Sequence, residues 1–187
     1  MKGRESGMPP REMGEGFFSP AETLEKMGLK EANNVAEFGC GYGTFTIPAA
    51  RMVKGAVYAI DIDAGMTGVT RQAAEEEGLR NVITIRRDFM REGTGLEAGR
   101  VDYVMLFNIL HIERPEILLE EAWRILGKAG RAGIIHWNYG AATPRGPSMD
   151  IRPRPSDCVS WAQSAGFTQP EQYDLKPYHY GIVMRKD

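Results

Sequence analysis

Residues 37–43 read Glu-Phe-Gly-Cys-Gly-Tyr-Gly, between a short apolar run and the start of a helical pattern. Glycines at Gly39, Gly41 and Gly43 let a backbone turn sharply and approach a ligand closely. A generic tight strand-to-helix turn would use glycines in the same way. The spacing departs from the dinucleotide fingerprint G-x-G-x-x-G: the third glycine arrives one residue early and Thr44 stands where the fingerprint wants it. Glu37 precedes the first glycine by two positions, and an acid there crowds the place of a pyrophosphate. A nucleoside without phosphates fits such a loop better. Asp61 ends the next apolar run, the position from which a carboxylate accepts the hydroxyls of a ribose. Asp63 competes for that role, but it precedes a helical pattern and reads as an N-cap. Asp88 follows a third run at the same edge, either as a ligand contact or as a solvated loop acid.

These residues need elements to hold them. Residues 19–22, Ser-Pro-Ala-Glu, read as a capping box opening a short helix that Gly28 ends. Apolar runs at 35–38, 56–60, 82–85, 101–107 and 131–137 predict strands. Helices are expected between them at about 44–52, at 63–77 with Met66, Val69 and Ala73 on one face, and at 115–126 with Leu118, Ala122 and Ile125 at helical spacing. Gly78 and Gly127 would close the last two. Strands alternating with helices imply βαβ units and a parallel sheet covered on both faces. The near-continuous apolar runs suit strands buried on both sides. Residues 139–155, rich in Pro, Arg and Gly, read as a long loop. A last helix is expected at 155–165, then two β-like runs, 167–175 and 178–185, close enough to pair as an antiparallel hairpin. Asp102 begins the fourth strand, at the end of the sheet away from the glycine loop, and reads as structural.

The 187 residues are 42% hydrophobic and 26% charged, a globular balance long enough for a real core. Glycine is in excess, 22 of 187 residues against an average of ~7%. No apolar run approaches the ~20 residues of a membrane span, and the first residues hold no apolar signal-like region. With 23 basic and 25 acidic residues the net charge is −2, which argues against a nucleic-acid partner. The two cysteines, Cys40 and Cys158, make no disulfide framework, so a cytoplasmic location is expected. The same count with scattered histidines argues against a metal site.

Taken in order, residues 37–43, residues 59–63 (Ala-Ile-Asp-Ile-Asp), Asp88 and residues 101–104 (Val-Asp-Tyr-Val) resemble the motifs of class I S-adenosylmethionine-dependent methyltransferases. The helix, turn and strand of 118–137 extend the resemblance to roughly 19–138. Within that superfamily the chain is most similar to the small-molecule branch that includes ubiquinone and menaquinone methyltransferases. Residues 127–130, Gly-Lys-Ala-Gly, depart from the Lys-Pro-Gly-Gly usual in relatives, at a turn far from the cofactor. The resemblance implies an α/β Rossmann-like sheet of seven strands, mostly parallel with an antiparallel last strand, and helices on both faces. It implies one methyltransferase domain over 19–187, after an arm at 1–18 that is expected to be mobile. It also assigns roles. Glu37 and the backbone of Gly39, Cys40, Gly41 and Gly43 would face the methionine part of S-adenosylmethionine. Asp61 would hold the ribose, Ile62 would pack on the adenine, Asp88 would receive the adenine amino group with Phe89 alongside, and Asn108 would lie beneath the methionine.

Ligands of open α/β sheets bind beyond the carboxyl ends of the strands. Residues 108–111 and 136–138 end the fourth and fifth strands there, and an antiparallel last strand would bring residues 178–180 to the same edge. All three histidines, His111, His136 and His179, then share one rim. Methyl transfer is an in-line displacement in which the cofactor carries the chemistry and the protein positions and desolvates. A neutral histidine suits removal of a proton from an acceptor, so His111, then His136, then His179 are the candidate bases. Trp137, Tyr178, Arg152 and Arg154 are candidate substrate contacts, the arginines (with Arg145) for an anionic acceptor such as a carboxylate. Phe17 and Phe18 are candidates for an apolar lid. The expected function is methyl transfer to a small molecule. The alternatives are a non-catalytic S-adenosylmethionine-binding protein, an RNA or protein methyltransferase, and a dinucleotide oxidoreductase.

Overall fold

The structure, a computed structural model, describes residues 19–140 and 143–187. The expected arm and the Phe17–Phe18 lid lie outside the described residues. In chain order the elements are α1 Pro20–Lys26, β1 Val35–Phe38, α2 Thr46–Met52, β2 Val57–Asp61, α3 Ala64–Glu76, β3 Val82–Arg86, α4 Phe89–Glu92, β4 Val101–Phe107, α5 Pro115–Ile125, β5 Leu126–Trp137, α6 Pro155–Ser164, β6 Thr168–Leu175 and β7 His179–Arg185. The strands form one seven-stranded sheet in the order β3-β2-β1-β4-β5-β7-β6. Strands β1 to β5 pair in parallel, and β7 runs antiparallel between β5 and β6. The chain reverses its lateral direction between β1 and β4, so a crevice opens beyond their carboxyl ends.

Alternation along the central strands divides the core between the two faces of the sheet. Ala36, Phe38, Val104, Leu106, Ile134 and Ile182 join one buried cluster, with Leu118 and Leu119 of α5 and Ala162 of α6. Their chain neighbours Val35, Tyr103, Met105, Ile135 and Val183 join the other, with Leu24 and Met27 around α1. Each fully buried leucine-sized side chain contributes about 1.5–3 kcal/mol. That is why the strands read as unbroken apolar runs.

Four local expectations change. Ser19 precedes α1 without a side-chain cap bond, so Pro20 alone marks the start. The buried face of α3 is Thr67, Thr70, Ala73 and Ala74 rather than Met66, Val69 and Ala73, because Thr70 is needed as a hydrogen-bond donor to the glycine loop. Helix α4 was not legible, being a single turn nucleated by Asp88. Strand β5 begins at Leu126, directly after α5. Val101 pairs with Leu126 and Tyr103 with Arg131, so the residues between bulge out of the ladder, and Ala129 takes a left-handed φ of 61°. The hairpin forms as expected, with Trp137 opposite His179 and His136 opposite Tyr180.

Candidate active site

The glycine loop links β1 to α2 and is pinned from β2. Gly39 and Cys40 donate backbone N–H bonds to the Ile60 carbonyl at 2.8 and 3.1 Å. Gly39, Gly41 and Gly43 have φ of +75°, +53° and +80°, the left-handed region that side chains with a Cβ disfavour. A Cβ on Gly39 would stand 2.9 Å from Cδ1 of Ile109. Asp61, at the end of β2, accepts from Gly41 N through Oδ2 at 3.0 Å and from Asp63 N through Oδ1 at 2.9 Å. Thr70 of α3 donates to the Gly41 carbonyl at 2.9 Å. Asp63 caps α3 through Gly65 N, as its position suggested.

Glu37 is 4% exposed. Its carboxyl is bonded to the Thr46 hydroxyl, and burial pushes its pKa up to about 8. The Cys40 thiol is also raised by burial, so it offers the loop its backbone and no thiolate. Thr46 and Thr70 support the site and were not singled out from sequence. Their signal is a hydroxyl on the buried face of a helix, where an alanine would pack as well.

Asp88 accepts from Met90 N at 3.2 Å and so caps α4. Phe89 packs on Phe38, ring centroids 5.4 Å apart. Ile62, directly after Asp61, is 42% exposed, an apolar face left open beside the acid. Asn108 follows β4 with a φ of 53°, and its buried Oδ1 has no hydrogen-bond partner among the described residues.

The histidines converge beyond β4 and β5. His111 Nδ1 lies 3.3 Å from His136 Nε2, with the rings edge to face. The backbone N–H of Trp137 donates to His136 Nδ1 at 3.0 Å. Both His136 and His179 are 0% exposed, and His111 is 8% exposed. Burial lowers all three pKa values: His111 to about 4, His179 to about 3 with help from the Arg152 charge, and His136 well below its usual value. The Trp137 ring lies against His179, centroids 4.1 Å apart, and 6.4 Å from the Tyr178 ring. His136 and His179 are enclosed, and of the three imidazoles His111 alone keeps some exposure.

The arginines part company. Arg152 is buried and holds the loop before it: Nε and Nη2 donate to the Pro147 carbonyl at 3.1 and 2.9 Å, and Nη1 donates to Asn138 O and Thr143 Oγ1 at 3.1 and 3.0 Å. The sequence offered Arg152 as an anion contact. In the structure its guanidinium is mostly engaged by the chain's own carbonyls. Arg154 lies over the Tyr139 ring at 4.3 Å and remains exposed.

Residues 35–130 match the family described as "Methyltransferase domain". The chain is 41% identical, over 70% of its length and 61% of the relative's, to the aklanonic acid methyltransferase DauC of Streptomyces sp. (strain C5). It is 27% identical, over 76% of its length and 52% of the relative's, to the ubiquinone/menaquinone biosynthesis C-methyltransferase UbiE of Rhizobium johnstonii. It thus spans about half the length of the curated relatives it matches. A solved structure of a SAM-dependent methyltransferase from Aquifex aeolicus superposes with a TM-score of 0.83 at 24% identity, covering 94% of this chain and 93% of that one. That likeness shows the fold.

Proposed function

The chain belongs to the methyltransferase domain family, and from that membership we propose that it transfers a methyl group from S-adenosylmethionine to a small-molecule acceptor. Asp61 carries the reading. Its carboxylate is fixed by Gly41 N and Asp63 N, and each oxygen keeps a further lone pair for a ribose hydroxyl. Three further observations fit the same cofactor. The exposed Ile62 offers an apolar face to an adenine, the buried Asn108 Oδ1 lacks a donor among the described residues, and Glu37 is a buried acid that a cationic ligand would ionise. Asp88 and Phe89 would flank the adenine, and the backbone of residues 39–43 the methionine. The open left-handed turn lets that backbone approach, which a side chain at Gly39 would prevent.

S-adenosylmethionine supplies a methyl group on a positively charged sulfur, which an acceptor lone pair displaces. The protein's share is to hold, orient and dry the two partners. Residues 143–155, Arg154 among them, with Trp137 and Tyr178 would border the acceptor, with His111 nearest the transfer. The relatives named above act, by their names, on aklanonic acid and in ubiquinone and menaquinone synthesis, which supports a small-molecule acceptor. Cys40 and Cys158 are buried free thiols, in keeping with a cytoplasmic protein.

Calorimetry with S-adenosylmethionine tests the cofactor. Asp61→Ala should weaken binding by about 1.5–3 kcal/mol, the worth of a hydrogen bond to a charged group. Unchanged affinity removes the ribose assignment. Transfer of a labelled methyl group to a compound in a metabolite panel separates an enzyme from a protein that only binds the cofactor.

A further inference from the structure

The histidine pair has a fixed proton order. The Trp137 backbone N–H is a donor and nothing else, so the His136 Nδ1 that receives it at 3.0 Å must present a lone pair. Neutral His136 therefore carries its proton on Nε2. That nitrogen faces His111 Nδ1 at 3.3 Å, so Nδ1 of His111 is the acceptor and its own proton lies on Nε2. Burial holds the pKa values of both rings down and so keeps the pair neutral. The Arg152 charge adds to burial in disfavouring a cation at His136 and His179. Both nitrogens of His136 are thus used inside the protein, and the nitrogen of the less buried His111 that is turned from His136 bears a hydrogen.

We propose that His111 serves the acceptor as a hydrogen-bond donor through Nε2–H rather than as its base, with His136 the positioning residue that sets this tautomer. The proposal rests on the methyl-transfer reading above. It also narrows the acceptor class. A site that offers a donor and no base suits a molecule that arrives ionised, such as a carboxylic acid or an acidic phenol or enol. The acceptor's lone pair then forms the bond to the methyl carbon, and the pair of the carbon–sulfur bond leaves on sulfur. The Nε2 proton stays on His111 throughout, bonded to the oxygen beside the reacting atom. The positive charge of Arg152, whose hydrogen-bond partners among the described residues are carbonyls and a hydroxyl, favours an anion near this cluster.

The tautomers are read on the whole protein without any ligand, by long-range ¹H–¹⁵N correlation of the imidazole rings. The expected pattern for His111 and His136 is a pyrrole-type Nε2 and a pyridine-type Nδ1. His136→Phe should release His111 into a tautomer mixture. A His111 ring with its proton on Nδ1, and so a bare Nε2, would overturn the proposal. On an acceptor found in the metabolite panel, His111→Gln keeps an N–H donor but cannot act as a base. It should retain most of the turnover, whereas His111→Ala loses about 10²–10³-fold, as for a removed oxyanion donor. Equal losses in the two variants would restore the base. Failure to bind S-adenosylmethionine would strike the methyl-transfer reading alone, because the tautomer pattern does not depend on it.

Discussion

Glu37 sets the chemistry of single residues here, because its environment opposes its charge. Its folded pKa of about 8 stands above the ordinary 4.5. Between those values the unfolded chain has lost a proton that the folded chain keeps. Stability therefore falls as pH rises through this window, by up to ~1.4 kcal/mol per pH unit. The buried histidines act in the opposite sense, since their folded values lie below 6.5; they are common to wild type and variant and cancel in the difference. Glu37→Gln should flatten the decline, so urea unfolding from about pH 4.5 to about pH 8 should show the variant gaining on wild type. Parallel curves would mean that Glu37 ionises freely in the folded state. The positions of Glu37 and Asp61 beside the glycine loop were legible in the sequence because they are set by spacing from a glycine turn. The order of protons on His111 and His136 was not, because it is set by a backbone amide, Trp137 N, whose direction no residue type encodes.

At the scale of elements, the glycine loop and the loop before α6 are held by different means. Gly39 needs its left-handed φ of +75° and the space that a Cβ would take from Cδ1 of Ile109. Gly39→Ala should cost about 1–2 kcal/mol from the backbone alone, plus the collision. Ile109→Val removes the Cδ1 methyl. The double variant should recover the steric part and keep the backbone part, as denaturant midpoints would show. Complete recovery would mean that the φ carries no strain. The second loop depends on Arg152, whose four bonds reach Asn138, Thr143 and Pro147. Arg152→Ala should leave those acceptors without their donor and raise cleavage by a nonspecific protease within residues 143–151, with the sheet intact by far-UV circular dichroism. An unchanged cleavage pattern would show that the loop is held by something else. The sequence placed most helices and strands because their periodicities differ, 3.6 against 2. It misjudged the inner face of α3 because Thr70 answers to the carbonyl of Gly41 rather than to the core. It misjudged the start of β5 because the bulge after Leu126 leaves no mark in hydropathy.

At the scale of the molecule, the two ends of the sheet do separate work. The carboxyl ends of β1, β2, β4 and β5, with the start of β7, carry the glycine loop, Asp61, Asn108 and the histidines. The opposite end carries fastenings: Asp102 accepts from Asn34 N at 2.7 Å, as its position suggested. Near that end, the buried Tyr103 hydroxyl donates to the Met27 carbonyl at 3.1 Å, tying the last turn of α1 to β4. The phenol lies across β5 at Gly133, where any Cβ would collide with it. Tyr103→Phe keeps the ring and removes the donor, leaving the Met27 carbonyl buried without it. The loss should be about 1–3 kcal/mol of stability. Because the lost bond ties Met27 to β4 near the end of the sheet away from the crevice, affinity for S-adenosylmethionine at a temperature well below unfolding should stay as in wild type. Calorimetry and urea unfolding on the same preparation make the comparison. A fall in affinity that tracks the fall in stability would mean that the docking of α1 reaches the glycine loop, by way of Phe45, Ala49 and Ala50, which share a buried cluster with Leu24 and Met27.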